Sequence, residues 1–213
     1  MANHVEPFAD SVTFTVGNLE VTKKSISAMD NNTYLISAPD GVNVLIDAAD
    51  CASAILRLLG KRKLNAVITT HRHQDHLLAL AEIVEATDAI PIAGRWDADA
   101  IETATGVRCK KVWTKDKLIF GAIDLDVIGL VGHTPGSIAL ALGTKHIFTG
   151  DSLFPGGLGK TNSARDFDSL FTDVKTLVFD RFDDDTQIHP GHGDDTTLGA
   201  ERGNLAEWRA RGW

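Results

Sequence analysis

Cysteine is nearly absent: Cys51 and Cys109 are the only two in 213 residues, and they lie far apart in sequence. A disulfide framework is thereby excluded, and the pair reads as free thiols in a reducing cytoplasm. No run of about 18 apolar residues occurs, so no membrane-spanning helix is expected. Met1 to Asp10 has neither a basic n-region nor an apolar h-region, so no secretory signal is expected. Positive charge is also in short supply. With 21 basic against 29 acidic residues the formal net charge is −8, which argues against nucleic acid or an anionic membrane as the main partner. Low-complexity stretches, internal repeats and long linkers are lacking, so one domain spanning residues 1–213 is expected. Nothing in the sequence sets the oligomeric state.

What is present reads as strands interleaved with helices. Val12–Val16 alternates, and Thr33–Ser37 and Val42–Ile46 flank a Pro39-Asp40-Gly41 turn, which predicts a hairpin ending at Asp47. Ala52–Leu59 has helical spacing and stops at Gly60. Leu64–Thr70 is a short apolar, β-branched run, the mark of a buried strand. Helical periodicity returns over His76–Ala86 and again over Ala98–Thr105. Strands are predicted at Lys117–Phe120, Ile123–Gly129, Ser137–Leu142, Lys145–Thr149 and Gln187–His189. Asp166–Phe179 carries an apolar stripe of Phe167, Leu170, Phe171, Val174, Leu177 and Val178, an amphipathic helix. The alternation predicts an α/β fold with sheets covered by helices on their outer faces.

The densest chemical signal is Thr70-His71-Arg72-His73-Gln74-Asp75-His76, placed between a buried strand and a helix. His71 and His73 are two apart, so an extended backbone points both imidazoles the same way. Asp75 and His76 follow where the chain turns. Strand-like runs also end in polar turns with a possible ligand at Gly132-His133-Thr134-Pro135-Gly136, at Thr149-Gly150-Asp151-Ser152 and at His189-Pro190-Gly191-His192-Gly193. Glycine beside each donor lets backbone come close to a metal or substrate. A lone histidine in a turn is usually a solvated side chain; His133 and His192 escape that reading because they accompany the first cluster. Imidazole and carboxylate donors without thiolate suit zinc, manganese or iron.

This set, His71-x-His73-x-Asp75-His76 followed by His133, Asp151 and His192, resembles the metallo-β-lactamase superfamily. The resemblance runs from the Asn31–Leu35 strand to the Pro190–Gly193 turn. It implies a four-layer αββα sandwich, with metals at the loop edge between two sheets. It also implies that His71, His73 and His133 hold one metal, that Asp75, His76 and His192 hold a second, and that Asp151 bridges them. Within the superfamily the chain looks most like glyoxalase II and its short bacterial relatives. That likeness implies hydrolysis of a thioester or other ester by a hydroxide between two zinc ions, with iron or manganese as alternative occupants. Asp75 would orient the hydroxide. Gly157-Leu158-Gly159-Lys160 is similar to the stretch whose lysine meets the substrate carboxylate, making Lys160 a substrate-binding candidate. Asn162 stands where a substrate-contacting tyrosine is expected, and Trp213 closes the chain before the C-terminal helical region of long glyoxalases II. The thiol carrier is therefore open.

Two rival readings share the scaffold. In a mononuclear iron persulfide dioxygenase, His71, His133 and Asp151 would bind iron and the other donors would stand behind them. A lactonase or phosphodiesterase would use the same dinuclear core. The expected partner is a small-molecule substrate. Outside the cluster, His189 reads as a structural histidine, His146 as a strand-surface residue and Asp183-Asp184-Asp185 as a solvated loop. Trp208 and Trp213 are expected to dock the C-terminus.

Overall fold

The computed structural model describes residues 4–212; Trp213 lies outside the described residues. The first half builds a seven-stranded sheet from β1 (Val12–Val16), β2 (Leu19–Ser25), β3 (Asn32–Ser37), β4 (Asn43–Ile46), β5 (Ala66–Thr69), β6 (Ile90–Gly94) and β7 (Lys110–Val112), in that spatial order. β1 to β4 pair antiparallel and β4 to β7 pair parallel. A parallel pair needs a crossover, and helices supply it here: α1 (Ala52–Leu59), α2 (Leu80–Thr87) and α3 (Ala98–Thr105). The second half continues through β8 (Lys117–Phe120), β9 (Ile123–Gly129), β10 (Ile138–Leu142) and β11 (His146–Gly150). A small hairpin, β12 (Leu153–Phe154) and β13 (Gly157–Leu158), precedes α4 (Ala164–Val174). The chain closes with β14 (Gln187–Pro190), β15 (Thr196–Thr197), α5 (Leu198–Arg202) and α6 (Leu205–Arg211). The second sheet is ordered β15-β14-β11-β10-β9-β8.

Side-chain alternation divides the apolar residues among three layers of packing. Tyr34 and Ile36, Val44 and Ile46, and Ile68 face the second sheet, meeting Leu125, Val127, Ile138, Leu140 and Phe148. Their neighbours Leu35, Leu45 and Val67 point the other way, onto Ile55, Leu80, Ile83 and Ile101 of α1 to α3. Across the molecule Ala139 and Ala141 leave room for Phe167, Leu170 and Val174 of α4, and Trp208 packs in the same layer. The result is the four-layer αββα sandwich. Among the described residues no helix is long and apolar enough to cross a membrane.

Three departures from the sequence expectations have physical causes. The helix expected from His76 begins at Leu80, because Leu78 and Ala79 donate their backbone N–H groups to Ala49 and Ala48; Gln74–His76 is a 3₁₀ turn. The helix expected over Asp166–Phe179 starts at Ala164, where Ser163 accepts the Asp166 N–H, and its last residues, Lys175–Phe179, widen into a π turn that buries both Val178 and Phe179. In the first sheet β2, β6 and β7 have no counterpart among the expected strands; in β2 the pair Lys23-Lys24 interrupts the apolar pattern.

Lys23 is in fact fully buried. Its Nζ donates to Asp195 Oδ1 at 2.9 Å and to the Gly193 carbonyl at 2.6 Å. His189 Nδ1 donates to the other Asp195 oxygen at 3.0 Å. Half-buried His146 stacks on His189 with the ring planes 4° apart, so it is less a surface residue than expected. Asn32 Nδ2 and Tyr34 Oη donate to the Pro190 carbonyl at 3.0 and 2.7 Å. These bonds stitch the turn that carries His192 to the first sheet.

Breaking a buried ion pair leaves an uncompensated charge, so Lys23→Met should cost about 3–5 kcal/mol in urea unfolding near pH 7. Asp195 titrates below an ordinary carboxylate, since hydrogen bonds from His189 and Lys23 outweigh the opposing effect of its burial. Its share of stability is therefore complete above about pH 4 and fades as pH falls below that through its own pKa. A loss under about 1 kcal/mol for Lys23→Met would contradict this role.

Candidate metal centre

Every donor segment leaves the carboxyl end of a strand at one common edge. His71, His73, Asp75 and His76 follow β5, His133 follows β9, Asp151 follows β11 and His192 follows β14. The seven expected donors meet there in one volume. His71, His73 and His133 form one group, Asp75, His76 and His192 a second, and Asp151 joins His71 and His76 between them; within each group the donor atoms lie within 4.8 Å of one another. Asp151 Oδ2 stands 3.9 Å from His71 Nε2, 3.6 Å from His133 Nε2 and 3.4 Å from His192 Nε2. Its Oδ1, buried and without a hydrogen-bond partner, stands 3.4 Å from His76 Nε2. Gly191 is required by this crowding: a Cβ there would overlap Asp151 Oδ1 and fall 2.8 Å from the His76 ring.

Four of the five imidazoles have their Nδ1 proton committed to an acceptor behind them. His71 donates to Thr70 Oγ1 at 3.0 Å, His76 to Asp47 Oδ2 at 3.0 Å, His133 to the Lys160 carbonyl at 2.8 Å and His192 to the Met29 carbonyl at 2.8 Å. That choice of tautomer turns each Nε2 lone pair inward. His71 and His133 then face each other at 3.3 Å and His76 and His192 at 3.1 Å, while His73 Nδ1 is 2.9 Å from His133 Nε2. Opposed lone pairs repel unless a positive charge lies between them. The donor set therefore fits two divalent cations.

Electrostatics distinguish the two groups. Burial, then the neighbouring histidines, holds His71 well below the ordinary imidazole value, and burial followed by His133 lowers His73. Burial also opposes charge on His76 and His192, yet the carboxylates outweigh it, Asp151 and Asp47 for the first and Asp151 and Asp75 for the second; both are raised to about 10. Asp75 is depressed by the hydrogen bond with His192 and by Asn31, against its burial. Asp151 is depressed too, because contacts with His192 and His76 overcome its burial. The carboxylates thus favour positive charge at His76 and His192.

Several residues that shape the site lie outside the sequence motifs. Asp47, buried and left-handed at φ 58°, accepts from Thr70 N, Thr70 Oγ1 and His76 Nδ1. One carboxylate, at the end of β4, so orients two donors of the segment that follows β5, His71 through Thr70 and His76 directly. It does carry a sequence signal, an acid ending a buried strand, which is the same pattern as the donor turns. Asp97, fully buried, accepts from Arg72 N, Gly136 N and Thr134 Oγ1 and ties the His73 loop to the His133 loop. Asn31 Nδ2 donates to Asp75 Oδ2 at 2.9 Å. Of the two expected substrate residues, Lys160 reaches the centre through its carbonyl while its side chain is exposed and lines a separate hollow with Phe154. Asn162 lines a cleft of about 410 Å³ that opens on His73 and His133.

The description "Metallo-beta-lactamase superfamily" belongs to the family model that matches residues 27–192, a span containing all seven donors. Hydroxyacylglutathione hydrolase GloC of Haemophilus influenzae is 27% identical over 205 residues, covering 87% of this chain and 95% of that one. An uncharacterized protein of Mycobacterium tuberculosis is 31% identical over 204 residues, covering 80% of this chain and 89% of its own. Among solved structures, that of TTHA1623 in a di-iron-bound form superposes with a TM-score of 0.69 at 29% identity, over 84% of this chain and 96% of that one.

Two outcomes are expected. Asp47→Ala frees the rings of His71 and His76, so metal affinity should fall roughly 10–100-fold with the far-ultraviolet circular dichroism unchanged; wild-type affinity would contradict the role. Titrating metal into the metal-free protein should be biphasic. The equivalent entering at proton-poor His71 and His73 should load with little pH dependence above neutrality. The equivalent entering at His76 and His192 should displace protons and bind more tightly as pH rises from 6 to 9, since charge held on these raised histidines must first be lost. Proton release in a weakly buffered titration reads this directly, and none at pH 7 would refute it.

Proposed function

Since the chain belongs to the metallo-beta-lactamase superfamily, we propose that it is a dinuclear metal-dependent hydrolase that cleaves a thioester or other ester. The observation that carries the reading is the convergence of seven donors, two sets of three with Asp151 between them, with four of the five imidazoles tied by their outward protons. His71, His73 and His133 would hold one cation, Asp75, His76 and His192 the other, and Asp151 would contact both. Such cations, when bound, bring the pKa of water near neutrality and polarise a carbonyl.

The chain's own residues do the rest. Asp75 is a carboxylate at neutral pH and its Oδ2 is fixed by Asn31, so it orients a water proton rather than storing one. Asp75 and Asp151 supply the negative charge that makes two nearby dications tolerable. Asp47, Thr70 and the carbonyls of Lys160 and Met29 keep the imidazoles from rotating, so little reorganisation accompanies the reaction. The acyl group is assigned to the cleft at His73 and His133, which is the open approach to the centre. The relative named for hydroxyacylglutathione hydrolysis supports thioester chemistry. A single-iron dioxygenase would employ only His71, His133 and Asp151. The second set, equally converged and equally oriented, favours the dinuclear hydrolase.

Element analysis of the purified protein, followed by assays on thioesters, lactones, phosphodiesters and β-lactams, tests this reading. Two metal equivalents and thioester or ester turnover are expected. His73→Ala and Asp151→Ala should each lose metal and at least about a hundredfold in kcat, given the several kcal/mol that such cations contribute. Full activity in either variant, or one iron with oxygen uptake on a persulfide, would overturn it.

A further inference from the structure

His73 is the one donor histidine whose ring has no hydrogen-bond acceptor behind it among the described residues. Its Nδ1 points at His133 Nε2, 2.9 Å away, and its ring meets those of His71 and His133 edge-on. A ring without its own tether takes its place from the backbone that carries it. That backbone is anchored one residue earlier, where the Arg72 N–H donates to Asp97 Oδ2 at 3.0 Å.

The same carboxylate holds the opposite loop. Thr134, the residue after His133, donates its hydroxyl to Asp97 Oδ2 at 2.5 Å, and the Gly136 N–H donates to Oδ1 at 3.0 Å. The approach is close: a Cβ on Gly136 would fall 2.3 Å from the Asp97 nitrogen and 2.8 Å from its carboxyl carbon. Asp97 and Thr134 are both buried, and the Arg72 guanidinium, 3.6 Å away, is the one ion-pair partner of Asp97 among the described residues. Deeper in the sandwich the Ile138 N–H donates to the Thr70 carbonyl at 2.9 Å, joining the strands that carry these loops. Asp97 acts at the tips, where the separation of His73 and His133 is set.

Such fastening is not shared evenly between the two donor sets. Asp47 serves both, His71 through Thr70 and His76 directly. Asn31 serves the second: its Nδ2 donates to Asp75 Oδ2 at 2.9 Å and to the Asp75 carbonyl at 3.1 Å, and its backbone bridges to His192. Asp97 has no hydrogen bond or ion pair with Asp75, His76 or His192 among the described residues.

We propose that Asp97 is a positioning residue for one metal site alone. By clamping the Arg72–His73 and His133–Thr134 segments it sets the spacing of the three-imidazole site, and Asn31 does the corresponding work for Asp75 and His192. The two sites are thus adjusted by separate clasps, and either can be weakened without the other. The proposal rests on the dinuclear reading above and adds which residue tunes which site.

Cobalt(II) titration of the metal-free protein tests this, followed by visible absorption and by the paramagnetically shifted imidazole N–H protons. Each ligated ring contributes one such proton, so three mark the site of His71, His73 and His133 and two mark the site of His76 and His192. In Asp97→Ala the three-ring step should weaken about tenfold or more, the scale for a residue behind a ligand, while the two-ring step changes by less than about threefold. Thr134→Val, which deletes one hydrogen bond to Asp97, should weaken the same step by less, and Thr134→Ser should restore it. Asn31→Ala should give the reverse pattern. Equal weakening of both steps in Asp97→Ala, or an undisturbed three-ring step, overturns the proposal. Should Asp97→Ala not fold, the same comparison in Thr134→Val decides. One cobalt equivalent in the wild-type protein would remove the dinuclear reading, and the selectivity with it, before any variant is compared. Because the readout is metal binding, absence of ester turnover would remove the hydrolase reading and leave this result standing.

Discussion

Lone pairs forced to face one another organise this molecule. Imidazole nitrogens of His71 and His133, and of His76 and His192, oppose each other at about 3 Å because their other nitrogens are already hydrogen-bonded outward. Such an arrangement has no favourable neutral form. It is satisfied by protons on some rings, held against the buried carboxylates of Asp151 and Asp47, or by metal cations. The polar bonds around the centre keep the rings from escaping that conflict.

The sandwich makes this possible by bringing several strand ends to one edge. β5, β11 and β14 each deliver a turn there, and the antiparallel β9 delivers another. The turns are then fastened to one another: Asp47 to Thr70 and His76 within the first sheet, and, between the sheets, Asp97 to the loops of His73 and His133 and Lys23 with Asp195 beneath the turn of His192. These carboxylates form a second tier in which each one anchors segments distant in sequence. Over this rigid base α4 is more exposed, and its Arg165 lines the cleft at His73 and His133.

Much of the architecture is legible along the chain because packing leaves local periodicity. β9 shows it plainly, with Ile123, Leu125 and Val127 inward and Asp124 and Asp126 outward. The stop of α1 at Gly60 and the whole span of α3 are also visible. β2 is obscured because the partner of Lys23 lies on the other sheet, so a buried lysine looks like surface. The start of α2 is misplaced because Leu78 and Ala79 hydrogen-bond to a remote loop, a competition that helical periodicity does not register. The short β12, β13 and β15 contain only two residues each, too few for any repeating pattern.

Residue identity and local order were enough to set the chemistry on offer: five imidazoles and two carboxylates, three of the seven beside glycines, no thiolate among them, and strands short enough to put them on turns. Those are properties of single residues and their near neighbours. Folding settled how the donors divide into two groups, which nitrogen each ring presents, and that Arg165 rather than the Lys160 side chain faces the cleft at His73 and His133. Each of these depends on distances between segments far apart along the chain, and such distances exist only once the two sheets have closed on each other.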